Sequence, residues 1–146
     1  MTEHLTPGDL DRAAALPPSE RAVPVAEDTT LNEMAVVQNG FENCLRLANA
    51  AREAGAIPIF WTSFPTNGRT AAQDAPRQWL NATLRGLRSN GWLVADFDAA
   101  ISNGGNPASI LPAFDSGDGL HLNDAGYRAM AAAGEEPVAY RGKLAL

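Results

Sequence analysis

From Thr30 onward the apolar positions recur with the period of a helix. Met34, Val37, Phe41, Leu45 and Ala48 follow one another at spacings of three and four, which puts them on one face. Thr29 or Thr30 is placed to cap the start of this helix, and Gly55 is a natural stop. Gly40 within it costs about 1 kcal/mol relative to alanine, which predicts close packing at that point. The run Ala56-Ile57-Pro58-Ile59-Phe60-Trp61-Thr62 then predicts a buried strand, with Pro58 toward its start because proline donates nothing to a ladder. Pro65-Thr66-Asn67-Gly68 is turn-forming and ends it. A second amphipathic helix is predicted from about Asp74 to Ser89, with Trp79, Leu80, Leu84 and Leu87 facing inward. Asn90-Gly91 closes that helix, and Trp92 to Asp96 reads as a second short strand. After the loop Asn103-Gly104-Gly105-Asn106-Pro107, a last helix starts near Asn123 and runs through Tyr127, Met130 and Ala133.

The lead into this pattern is different. Residues 1–29 contain Pro7, Pro17, Pro18 and Pro24 with scattered acids and no sustained period. They read as an irregular arm, with one candidate short helix at 7–12. Residues 30–146 form the domain proper. Its order of helix, strand, helix, strand, loop, helix is that of an α/β protein with a parallel sheet. Two strands make a small parallel sheet, because such sheets normally have more members and both faces covered. Either the first residues hide a strand or the sheet is incomplete in this chain.

Composition narrows the function classes. A chain of 146 residues suggests one domain with a real core, and 45% hydrophobic with 19% charged residues is ordinary for a globular protein. A net charge of −6 with no basic stripe argues against a nucleic-acid partner. No apolar run approaches the roughly 20 residues needed to span a bilayer. Met1-Thr2-Glu3-His4 lacks the start of a signal peptide, so a complete chain is expected in the cytoplasm, and a secreted one if an amino-terminal signal has been lost. Cys44 is the one cysteine, which excludes an internal disulfide; it falls in the helical pattern and is expected to be buried. Trp61, Trp79 and Trp92 read as core, with Trp61 a candidate lining for an acyl or sugar pocket. Arg69, Arg77, Arg85 and Arg88 read as a solvated helix face. The acids between Asp115 and Asp124 do not fit a calcium loop, because glycines occupy the third and fifth ligand positions.

The candidate chemistry lies in one short loop, Asp118-Gly119-Leu120-His121. An aspartate three residues before a histidine can accept its Nδ1–H, fixing the tautomer and leaving Nε2 to take a proton from a hydroxyl. Asn123 is placed to cap the following helix and hold the loop. Ligands in open α/β sheets bind beyond the carboxyl ends of the strands, and Ser63-Phe64, Asp96-Phe97-Asp98 and this loop all belong near that edge. No serine is marked as a nucleophile. Ser63 stands at a strand end and reads first as a turn-capping hydroxyl, while Ser116 is too close along the loop to approach His121 in line.

The block from Asp115 to Ala131, Asp-Ser-Gly-Asp-Gly-Leu-His-Leu-Asn-Asp-Ala-Gly-Tyr-Arg-Ala-Met-Ala, closely resembles the carboxyl-terminal block of the SGNH hydrolases, also called GDSL esterases and lipases. Residues 51–59 and 94–100 resemble, more loosely, the family's helix and strand and the acidic segment ahead of that block. The resemblance implies a three-layer α/β/α, flavodoxin-like hydrolase fold, incomplete here, with the amino-terminal strands missing. It implies a serine esterase acting on carboxylic or O-acetyl esters, with His121 as general base, Asp118 as its orienter, and no metal or organic cofactor. Its partners would be a small ester or acetylated carbohydrate, together with a missing amino-terminal segment or second chain. The family's Gly-Asp-Ser, glycine and Gly-x-Asn-Asp blocks are not found. Gly8-Asp9-Leu10 lacks both the serine and the preceding strand, and by order Met1 falls near where the last of these blocks ends. Whether the chain is an enzyme by itself is therefore open, and a non-catalytic binding or assembly module on the same scaffold is the alternative. Leu122 stands where the family usually has proline, which is expected to loosen the loop.

Overall fold

The computed structural model describes residues 29–144, with side-chain surroundings from 33 to 139. The amino-terminal arm through residue 28, including the candidate helix at 7–12, lies outside the described residues. The elements are α1 (Thr29–Glu53), β1 (Ile59–Trp61), α2 (Ala71–Gly86), a 3-10 turn (Leu87–Asn90), β2 (Leu93–Ala95), α3 (Phe97–Ile101) and α4 (Asp124–Leu144). The alternation read from the sequence is therefore present. The strands are shorter than predicted, and α3 was not foreseen. It starts because the Asp96 side chain accepts the Ala99 N–H, a cap in place of a continued strand.

β1 and β2 are parallel, with Ile59 opposite Leu93, Phe60 opposite Val94 and Trp61 opposite Ala95. Among the described residues the sheet has these two strands. α1 packs on α2, where Phe41 meets Trp79 edge to face at 6.2 Å between centroids. The end of α1 also reaches the sheet, with Arg52 over the Trp92 ring and Trp92 against Phe60. α4 packs on β2 and α3, with Gly134 beside the Phe97 ring. Ile101, Ile110 and Leu122 form the buried apolar cluster, flanked by Phe64, Phe114 and Met130.

Four expectations need correction. Gly40 is not closely packed, since a Cβ built there meets nothing within 4 Å among the described residues. Cys44 is exposed, because it lies at the margin of the α1 stripe rather than within it. Trp61 is 64% exposed: a continuous apolar strand expects cover on both faces, and no described element covers this one. Arg77 and Arg85 are not a solvated face. Their side chains are 14% and 36% exposed and lie inside a lattice of carboxylates.

Candidate active site

The strands deliver polar residues at their carboxyl ends. Thr62, fully buried, donates from Oγ1 to Asp96 at 2.8 Å and accepts the Asp98 N–H at 2.9 Å, which joins the end of β1 to the start of α3. Arg85 forks onto Asp96 at 2.7 and 2.8 Å and reaches Asp98 at 2.8 Å. Arg77 continues the chain, contacting Asp98 at 2.6 Å and gripping Asp74 through two bonds of 2.6 and 2.9 Å. Gln78 and the Ala108 N–H complete the donors to Asp74. Asn81, also fully buried, holds the Ser63 backbone at both its N–H and its carbonyl. Every buried side-chain polar atom among the described residues has a partner.

These contacts set the charge states. The Arg77 hydrogen bond lowers Asp74 most, burial opposes it, and Gln78 and Ala108 add to the lowering, leaving the carboxyl at about 2. Burial raises Asp96, but Arg85, Thr62 and the Ala99 N–H outweigh that and bring it to about 2. Both aspartates are ionised near neutrality and serve as anchors rather than proton carriers.

The Asp118–His121 loop is built differently. The loop closes between Asp115 and Leu122, which form an antiparallel bridge. Asp118 Oδ1 accepts the N–H of Leu120 at 2.9 Å and of His121 at 2.8 Å, and the Ser116 hydroxyl at 3.0 Å. Its Oδ2 lies 2.5 Å from His121 Nδ1. The His121 bond and these backbone donors hold the carboxyl well below the usual carboxylate range. An ionised carboxylate only accepts, so the contact assigns the proton to His121 Nδ1. In the neutral imidazole Nε2 then carries the lone pair. Among the described residues the ring has no hydrogen-bond partner except Asp118. Both side chains are open to solvent, His121 at 65% and Asp118 at 49%.

The turn is fixed by its flanks. Leu122 is 4% exposed and belongs to the apolar cluster, so it pins the loop rather than loosening it. Asn123 caps α4 as expected, accepting the Gly126 N–H, and its amide also donates to the carbonyls of Ala113 and Asp115. Gly126 is required there, since a Cβ would lie 2.9 Å from the Phe114 carbonyl oxygen.

Of the residues named from sequence, the structure brings Asp118 and His121 together. Among the described residues it brings no serine to Nε2. Ser116 donates to Asp118 instead. Ser63 is exposed, and its Oγ reaches only the Phe64 carbonyl at 3.5 Å. Asn67 was read as a turn residue, yet its side chain bonds Asp115 and the Ile110 N–H, a role that no local pattern signals.

Comparison with solved structures places the fold. A candidate acylhydrolase from Bacteroides fragilis matches with a TM-score of 0.60 at 22% identity, over 72% of this chain and 52% of that one. A GDSL-like lipase from Bacteroides thetaiotaomicron matches equally, at 0.60 and 22%, over 75% of this chain and 58% of that one. A candidate lipolytic protein of the G-D-S-L family from Desulfitobacterium hafniense gives 0.53 at 18% identity, over 69% and 55%. No family model and no curated protein matches. The chain thus has the fold of GDSL-type hydrolases over the aligned part, and it spans about half the length of the solved structures it matches. Among the described residues, no helix is long and apolar enough to cross a membrane.

Proposed function

We propose that this protein carries the acid and base half of an SGNH-type serine ester hydrolase. The observation behind the reading is the Asp118–His121 pair, set on a pinned loop with the imidazole exposed and Nε2 without a hydrogen-bond partner among the described residues, in a fold shared with GDSL-type hydrolases. In this reading His121 Nε2 takes the proton of a serine hydroxyl as the oxygen attacks an ester carbonyl. Asp118 stabilises the resulting imidazolium, and His121 then returns the proton to the leaving alcohol. Water, activated by the same base, releases the acyl group. The serine and the oxyanion donors come from outside the described residues, in an upstream segment or a second chain. Each such donor is worth roughly 3–4 kcal/mol in the transition state, so the described residues alone would hydrolyse esters poorly. Small carboxylic esters or O-acetyl groups on carbohydrate are the proposed substrates.

A second reading is a non-catalytic binding or assembly module. The absence of a serine hydroxyl on His121 among the described residues favours it, as does the self-contained Asp74–Arg77–Asp98–Arg85–Asp96 lattice. Assays with a short acyl ester separate the two. The hydrolase reading expects no turnover by the 146-residue chain and turnover by a longer product carrying upstream coding sequence. A longer product containing Gly-Asp-Ser that stays inert supports the module. Labelling of Ser63 by a serine-reactive phosphonate would instead make that residue the nucleophile.

A further inference from the structure

The loop leaving β1 meets the acid–base loop at one residue. Asn67 donates its backbone N–H to the Gly119 carbonyl at 2.8 Å and its Nδ2 to Asp115 Oδ2 at 3.2 Å. Its Oδ1 accepts the N–H of Ile110, a core residue only 3% exposed, at 2.7 Å. Asp115 carries the other side of this link, because its Oδ1 accepts the N–H groups of Gly117 and Gly119, each at 3.0 Å. Gly119 lies between Asp118 and His121, and both its N–H and its carbonyl are therefore tied to the Asn67–Asp115 pair. The contact is close, with room for no Cβ: one built on Gly119 would sit 2.8 Å from Asn67 Cβ.

A pair as exposed as Asp118–His121 competes with water for every bond and cannot hold its geometry through attraction alone. Its orientation has to come from the backbone beneath it. We propose that Asn67 is a positioning residue for this pair, acting through Asp115 and Gly119 to set the distance between Asp118 and the His121 ring. The inference rests on the reading of Asp118 and His121 as orienter and base. It makes the β1–α2 loop part of the site, although no side chain of that loop hydrogen-bonds the imidazole.

The chemistry of the two side chains supplies the test. Asn67→Asp alone sets two carboxylates against each other at 3.2 Å, whereas Asn67→Asp combined with Asp115→Asn reverses the bond. The combined exchange keeps an acceptor for Ile110 and an acceptor for Gly117 and Gly119. Long-range 1H–15N correlation spectra, read from the carbon-bound ring protons at alkaline pH, report the His121 tautomer without any turnover. The wild-type protein is expected to hold the Nδ1–H form. Asn67→Ala and Asn67→Asp are expected to shift the tautomer ratio roughly fivefold toward that of an unconstrained imidazole, the weight of about one net hydrogen bond. The exchange is expected to restore it. Circular dichroism confirms folding, and if the single variants unfold, the exchange decides alone. A folded exchange variant whose tautomer ratio departs from wild type overturns the positioning role, as does an unchanged ratio in a folded Asn67→Ala. A wild-type spectrum with no Nδ1–H preference overturns the pairing itself, and both readings fall together.

Discussion

Two acid–base clusters stand out among the described residues, and they are built for opposite purposes. Around Asp74, Arg77, Asp98, Arg85 and Asp96, five charged side chains bond one another with carboxylates 1% to 14% exposed. At Asp118 and His121, two charged or chargeable groups face solvent on a loop. Burial decides the difference. Charges taken out of water must be fully partnered, and once partnered they fix the elements that carry them. Charges left in water contribute little to stability but keep an atom free for chemistry. The first cluster ties α2 to the carboxyl ends of both strands. The second has one imidazole nitrogen, Nε2, without a described partner.

The contrast predicts a steep gradient of stability effects. Arg77→Ala leaves the Asp74 carboxylate buried with only Gln78 and the Ala108 N–H, and should cost about 3–5 kcal/mol, a large share of what a domain has. Urea titration checks it; a loss near zero would remove the buried lattice from the account.

Acid should act through the same cluster. Asp74 and Asp96 sit at about 2 when folded, against an ordinary 3.8. Folded values below unfolded ones stabilise above about pH 4, and that contribution is lost as pH falls through 2. Each shift corresponds to about 2 kcal/mol. The urea midpoint should therefore fall between pH 5 and pH 2, and less so in an Asp96→Asn variant.

Gly119→Ala should have a smaller but clear effect. Gly119 has φ +71°, and the added Cβ meets Asn67. A cost of about 1–3 kcal/mol is expected by thermal unfolding. Smallest of all, His121→Ala should move stability by no more than about 0.5 kcal/mol, since it removes only an exposed contact. A loss as large as that of Arg77→Ala would mean the pair is structural.

The parts of this architecture that were legible in the sequence were periodic or local. The stripe from Met34 to Ala48 and the inward set around Leu84 announced α1 and α2, and Asn123 announced the start of α4. Asp118 and His121 were legible because the bond between them closes within three residues. What was hidden depends on residues far apart in sequence. Arg77 and Arg85 look like a solvated face until Asp98 and Asp96 arrive from the other strand end. Leu122 looks like a loosened proline position until Ile101 and Ile110 pack on it. Trp61 looks like core because the sequence specifies an apolar strand but not what covers it. α3 was missed because five residues are too few to show a period, and its start depends on Asp96, which read as the end of a strand.

The claim that Asp118 and His121 are an orienter and a base is tested most directly by turnover of a short acyl ester by a longer product carrying upstream coding sequence, with and without His121→Ala. The account predicts that the substitution lowers kcat by roughly 10⁶-fold while the protein stays folded. Hydrolysis that survives the loss of His121, in the longer product or in the 146-residue chain, would contradict it.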